Sequence, residues 1–195
     1  MSVDIRILKG DDVEPQLDAL ARLRIKVFHD FPYYYDGDYA YERAYCETYR
    51  DNERAILVGA FDGQTLIGAA TGTPLEDHEP QYVQPYAEAG YEVDQIFYCA
   101  ESVLLPEYRG HGLGHAFFDQ REKHAVALGR RYATFCSVMR PDDHPARPED
   151  YQPLDGFWEK RGYARMDDMT TYYHWRDRGE DQETIKQMQI WMREL

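Results

Sequence analysis

Apolar residues alternate with polar ones at Val3, Ile5 and Ile7, the period-two pattern of a short strand. After Asp11-Asp12, a pair suited to cap a helix, Val13, Leu17, Leu20, Leu23, Val27 and Phe28 recur at near-helical spacing, and Phe31-Pro32 closes the segment. A turn crowded with phenols (Tyr33-Tyr34-Tyr35) leads to a second helix with Tyr41, Tyr45 and Tyr49 in one i, i+4 stripe. The continuous apolar run 55–61 predicts a buried strand, Asp62-Gly63 a hairpin turn, and 65–71 its partner. The acidic, Pro-containing stretch 76–92 reads as loop with room for one short helix, and 96–105 as one long strand stopped by Pro106. A helix over 114–128, a strand over 131–139, a loop over 141–153 and a helix over 154–161 follow. The pattern then predicts strands over 169–175 and 188–192, although Ile185, Met188 and Trp191 also fit a helical period.

This order, β-α-α-β-β-β-α-β-α-β-β, predicts an α+β fold with a central mixed, mostly antiparallel β-sheet flanked by helices. No repeat or low-complexity linker interrupts residues 1–195, which read as a single domain. The start of the chain carries Asp4 and Arg6 where a secretory leader would be apolar, and no run reaches membrane-spanning length, so the expected location is cytoplasmic. Cys46, Cys99 and Cys136 lie far apart, which suits a reducing compartment and buried thiols; neither they nor the scattered histidines form a metal set. The net charge of −14, from 36 acids against 22 bases, disfavours nucleic acid and anionic membranes as partners. It also means that an anionic ligand needs a local binding device. The apolar C-terminal segment offers a surface for a homodimer.

That device is legible at 104–114, where Leu104-Leu105-Pro106-Glu107-Tyr108-Arg109-Gly110-His111-Gly112-Leu113-Gly114 joins a buried strand to a helix. Glycines let the backbone turn sharply and keep side chains away from its amides. The first amides of a helix lack internal partners and face the positive end of its dipole, which together suit a pyrophosphate. The P-loop pattern fails, because no Lys-Ser/Thr pair follows the last glycine. The dinucleotide pattern G-x-G-x-x-G fails too, since counting from Gly110 its final place is His115.

The segment resembles motif A of the GNAT superfamily of N-acetyltransferases, Arg/Gln-x-x-Gly-x-Gly/Ala, met here by Arg109, Gly112 and Gly114 after Pro106 and Tyr108. The element order is similar across essentially the whole chain, and Lys160-Arg161-Gly162-Tyr163 resembles the end of the family's last helix, with Tyr for Phe. The resemblance implies a GNAT-like acyl-CoA N-acyltransferase fold and acetyl-CoA as co-substrate, with no metal. It implies that Arg109 and the backbone amides of Gly110, His111, Gly112, Leu113, Gly114 and His115 hold the pyrophosphate. Backbone groups of Ser102, Val103 and Leu104 would pair with the pantetheine arm. The reaction implied is direct acetyl transfer to the primary amine of a small molecule in a ternary complex.

A carboxylate on the strand before motif A often serves the family as base, and Glu101 is the nearest candidate, with Asp94 in reserve. Apolar surroundings make a carboxylate a better proton acceptor; the plainer reading is a Glu bound to a backbone group or an Arg at the sheet's edge. Trp158 stands where the resemblance puts a tyrosine acid, and an indole N–H is no proton donor to a thiolate. Tyr163, Ser137 and Cys136 are the alternatives, or the thiolate leaves unprotonated. The phenols of 31–49, with Asp36, Asp38 and Glu42, would suit an ammonium, and His144 and Arg147 an acidic group on the acceptor. Two rival readings stay open, a non-catalytic acyl-CoA-binding module and an acetyltransferase acting on protein amines.

Overall fold

A computed structural model of the chain describes residues 3–195. Eight strands form one sheet: β1 (Val3–Leu8), β2 (Ile56–Asp62), β3 (Thr65–Pro74), β4 (Ile96–Tyr98), β5 (Ser102–Leu104), β6 (Tyr132–Val138), β7 (Ala164–Trp175) and β8 (Thr184–Glu194). Their order is β1-β2-β3-β4-β6-β8-β7, with β5 paired to β3 beside β4. Every pairing is antiparallel except β4 with β6. Five helices flank the sheet: α1 (Leu17–Phe28), α2 (Tyr39–Arg50), α3 (Pro80–Glu88), α4 (Leu113–Ala127) and α5 (Asp155–Lys160). The expected mixed, mostly antiparallel architecture is the one observed.

Side-chain alternation along the strands separates two faces. On one, α4 and α5 cover Ile56, Val58, Phe97, Phe135 and Trp191. On the other, α1 and α2 cover Leu57, Phe61 and Val103, while Tyr86 of α3 lies over Tyr98, Met188 and Ile190. These clusters bury most of the large apolar side chains and hold the sheet together by their removal from water.

Three expectations change, and the short helix allowed for in the acidic stretch is present. The first helix begins at Leu17, not at Asp11-Asp12; Gly10–Asp12 and Glu14–Gln16 instead form two short 3-10 turns, the second with Pro15 in its first turn. The acidic stretch contains α3, which carries Pro85 internally. The last segment is a strand longer than 188–192, and residues 188–192 are buried on both faces, which is why their apolar pattern also fitted a helix. Most consequential for the site, the expected long strand over 96–105 is two short ones. At Cys99–Glu101 the chain stops following β6 and shifts its ladder on β3, so β4 meets Thr73 and Pro74 whereas β5 meets Gly68 to Ala70.

Candidate functional site

The break between β4 and β5 opens a fork in the sheet. β4 runs parallel with Tyr132 to Thr134 of β6, and the last link across is Cys99 N–H to Thr134 O at 2.7 Å. Beyond it β6 continues to Val138 with β8 on one side and no described strand on the other. β5 likewise pairs with β3 alone. Two strand edges therefore diverge, Ser102–Leu104 facing Phe135–Val138. Of the three β5 residues, Val103 points into the core, Ser102 is exposed and Leu104 half-buried.

At the far end of β5 the chain makes a 3-10 turn (Pro106–Tyr108) and then enters α4 through the glycines. Gly110 and Gly112 have φ of +80° and +81°, conformations that L side chains avoid. A Cβ at either position would meet no other atom within 4 Å, so the backbone angle and not crowding requires glycine there. Gly112 caps α4 without a side-chain bond. The first helical bond is Ala116 N–H to Gly112 O (3.2 Å), which leaves the amides of Leu113, Gly114 and His115 unpaired within the helix. The side chains expected here are mostly engaged with the turn itself. Arg109 Nε donates to Leu104 O (3.3 Å), His111 Nδ1–H donates to Arg109 O (2.9 Å), and His115 accepts from Arg161 of the helix cap of α5 (3.1 Å). What remains for an anionic ligand is main chain, in an open cradle.

Glu101 lies at the apex of the fork with its carboxylate turned toward α1 and α2. It is ion-paired with Arg24 of α1, which also pairs with Glu42 of α2. All three side chains are nearly buried, at 9%, 9% and 1% exposure for Glu101, Arg24 and Glu42. Tyr45 donates to Glu101 Oε2 (3.1 Å), and its oxygen lies 2.7 Å from the hydroxyl of Tyr49. Burial opposes the charge on Arg24, but Glu101 and Glu42 outweigh it and the guanidinium is held firmly protonated. Burial first, and the charge of Glu101 second, push the phenols of Tyr45 and Tyr49 well above their usual range. The carboxylate is thus a fixed, hydrogen-bonded acceptor in an ion-pair network rather than a lone acid in an apolar strand.

The structure also places the other candidate residues. Of the three acids expected beside the phenols only Glu42 reaches the interior; Asp38 caps α2 by accepting from Tyr41 N–H (2.9 Å), and Asp36 pairs with Arg176. The cation over Tyr45 is Arg24 itself, 4.3 Å from the ring centroid. Asp94 sits at the other end of β4 from Glu101, where its carbonyl accepts from Arg130. Trp158 packs on Phe135 and Trp191, with ring centroids 5.0 and 5.1 Å away. Tyr163 donates to Glu122 (3.1 Å), and burial, then the neighbouring Cys99 and Glu122, hold its proton tightly. Burial pushes the Cys136 thiol up to about 12, and Ser137 accepts from the Trp191 indole (3.1 Å).

Sequence reasoning missed two arginines. Arg121 of α4 is 1% exposed; its Nη1 donates to the carbonyls of Glu101 (3.0 Å) and Thr71 (3.3 Å), fixing the strand break from behind. Arg24 is its counterpart on the opposite face. Both carried a signal, an arginine inside an apolar helical stripe: Arg24 four residues after Leu20, Arg121 between Phe117 and Ala125.

A sheet forked between two parallel strands, with an anion cradle at the following helix, defines the acyl-CoA N-acyltransferase class of fold. Residues 20–163 match the model of the Acetyltransferase (GNAT) family, and the chain belongs to that family. Similar solved structures include an acetyltransferase of the GNAT family from Streptococcus pneumoniae, with 14% identity, TM-score 0.60 and all of both chains covered. The yncA protein of Salmonella typhimurium, solved with its cofactor acetyl-CoA, has 11% identity and TM-score 0.60 over 100% of this chain and 95% of that one. The PaiA N-acetyltransferase of Thermoplasma acidophilum, in complex with coenzyme A, has 13% identity and TM-score 0.54 over 100% of both. Among curated proteins no sequence matches this chain significantly.

Proposed function

We propose that this chain transfers an acetyl group from acetyl-CoA to the primary amine of a small molecule, directly within a ternary complex. One observation carries the reading: the unpaired amides of Leu113 to His115, the free edge of β5 and the Glu101 carboxylate follow one another along a single fork. The residues fit the cofactor. The cradle from Gly110 to His115 presents main-chain donors to a pyrophosphate, with no Cβ in the way at Gly110 or Gly112. Ser102–Leu104 offer strand-like pairing to a pantetheine amide. Such local donors supply what a chain of net charge −14 otherwise denies an anion. The similar folds solved with acetyl-CoA and coenzyme A support the same assignment.

When bound, acetyl-CoA supplies a thioester carbonyl open to attack by a neutral amine. Glu101 accepts the proton that the amine loses, directly or through water, while Arg24 and Tyr45 keep its oxygens in place. Arg121 holds the Glu101 backbone at the apex. The carbon–sulfur bond breaks as the amide forms and the coenzyme A thiolate leaves unprotonated; no side-chain acid is assigned, because Trp158 packs, Tyr163 is committed to Glu122, and burial opposes loss of the Cys136 proton.

Calorimetric titration with acetyl-CoA tests the cofactor half; binding is expected, and is expected to be lost in Gly112→Val. An amine panel tests the chemistry, with Glu101→Gln expected to lower kcat by about 10²- to 10⁴-fold while acetyl-CoA affinity is retained. Absence of binding to both acetyl-CoA and coenzyme A would sink the enzyme reading. The ion pair on Glu101 and the tryptophan at 158 favour one second reading, an acyl-CoA-binding module without turnover, and binding with no acetylation of any amine would decide for it.

A further inference from the structure

Beyond the fork, the free edge of β6 opens on a cavity of about 270 Å³ that includes Ser137 to Met139 in its wall. Three segments remote in sequence close it: the α1–α2 connection through Phe31, the β6–α5 loop through Arg147 and Tyr151, and the sheet through Trp191 and Arg165. Phe31 meets Tyr151 edge-to-face at 4.7 Å, and the indole N–H of Trp191 is spent on Ser137, so these walls offer aromatic surface. The volume falls just below the range of about 300–1,000 Å³ usual for ligand pockets, which suits a ligand the size of an amino acid and not a long chain.

The charges of the cavity are unequal in freedom. Arg140 is spent: both its Nη atoms bind the Asp177 carboxylate (2.7 and 2.8 Å), and it also donates to the carbonyls of Pro32 and Tyr33. Arg147 is not. Its guanidinium lies 5.1 Å from the Tyr151 ring and 6.0 Å from Phe31, and its carboxylate partner, Asp142 at 3.2 Å, is 99% exposed. An ion pair so exposed contributes little and exchanges readily for a ligand. Arg165 likewise pairs with Asp167, 82% exposed. Asp155, the other carboxylate on the wall, stands in the first turn of α5, where the helix dipole favours it.

We infer that this cavity is the acceptor subsite and that it selects amines carrying a carboxylate next to an apolar group, with Arg147 receiving the carboxylate and Phe31 and Tyr151 the apolar part. The inference rests on the acetyltransferase reading for the word acceptor, but the subsite itself is testable without turnover. A planar guanidinium held on aromatic rings is a fork ready for two parallel hydrogen bonds to a carboxylate.

The test is a fluorescence titration of the full chain, with and without coenzyme A, using N-acetylphenylalanine and N-acetylphenylalaninamide; Trp191 in the wall reports occupancy. The acid is expected to bind about tenfold or more tightly than the amide, the yield of one charge-assisted hydrogen-bond pair. That preference is expected to vanish in Arg147→Met and to survive in part in Arg147→Lys. Equal affinity for the two probes, no binding of either, or an undiminished preference in Arg147→Met would overturn the inference. Acetylation of phenylalanine and phenethylamine, run alongside, separates the two readings. Acid-selective binding with no amine acetylated sinks the acetyltransferase reading and leaves the subsite, whereas turnover without acid selectivity sinks the subsite alone.

Discussion

At the scale of the residue, four charged side chains, Arg24, Glu42, Glu101 and Arg121, lie in or against the core around the strand break. Arg24 pairs with both carboxylates beside it, Glu42 and Glu101, in a space lined by phenols. Arg121 is different, for among the described residues it has no carboxylate within salt-bridge distance and bonds to backbone carbonyls instead. Burial of a guanidinium costs desolvation, and Nε and Nη2 of Arg121 are buried without a hydrogen-bond partner among those residues, so the side chain is not there for stability alone. Arg121→Met is therefore expected to change the unfolding free energy by about 1 kcal/mol or less while lowering kcat at least tenfold, with Arg121→Lys restoring part of the rate. Thermal unfolding beside steady-state kinetics checks this, and a loss of stability matching the loss of rate would make Arg121 merely structural. At Gly112 the argument is conformational. A valine with φ near +81° is strained by about 1–2 kcal/mol, and the turn relieves it by moving the amides of the cradle.

The elements show how a site is made by interrupting a regular structure. A strand continuous from Ile96 to Leu105 would leave no gap between the two parallel edges; the shift of partner on β3 at Cys99–Glu101 opens the fork and swings Glu101 toward the helices. On the other side of β6, β8 holds the fork rigid. Its Trp191 is 2% exposed and touches Phe135 and Trp158, so Trp191→Ala is expected to cost about 3–5 kcal/mol in urea unfolding and to loosen α5. The apolar residues of this segment are consumed inside the sheet, which leaves Ile185, 63% exposed, as its large outward apolar side chain.

Across the whole molecule, the α1–α2 connection, the β6–α5 loop and the end of the β7–β8 hairpin meet over the tip of β6. Their clasp is the Arg140–Asp177 pair, reinforced by the Trp175 indole on Asp177 (2.9 Å) and by Lys186 (3.3 Å). Burial works against the Asp177 charge, but the bonds from Arg140 outweigh it and hold the carboxyl below its ordinary value of 3.8. A carboxyl with a depressed folded-state value stabilises the fold above the unfolded value and loses that contribution as pH falls through the folded one. Asp177→Asn is thus expected to lower stability by about 3 kcal/mol at neutral pH. It is also expected to flatten the further loss of stability below about pH 3.8, measured as denaturant midpoint against pH.

The sequence by itself determined where helices occur though not where the first begins, the hairpin at Asp62-Gly63 and the glycine turn at Gly110–Gly114, because each depends on local periodicity or on a backbone angle that only certain residues adopt. It marked Glu101 as the polar residue of an apolar strand, and its plainer alternative, a glutamate tied to an arginine, is part of what the fold contains. Only the tertiary structure decided where that strand breaks, since β3 sets the register of both halves through pairings distant in sequence. It alone brought Arg24 from α1 and Arg121 from α4 to opposite sides of one peptide. It also assembled the cavity around Arg147, whose walls come from segments more than a hundred residues apart and share no local pattern.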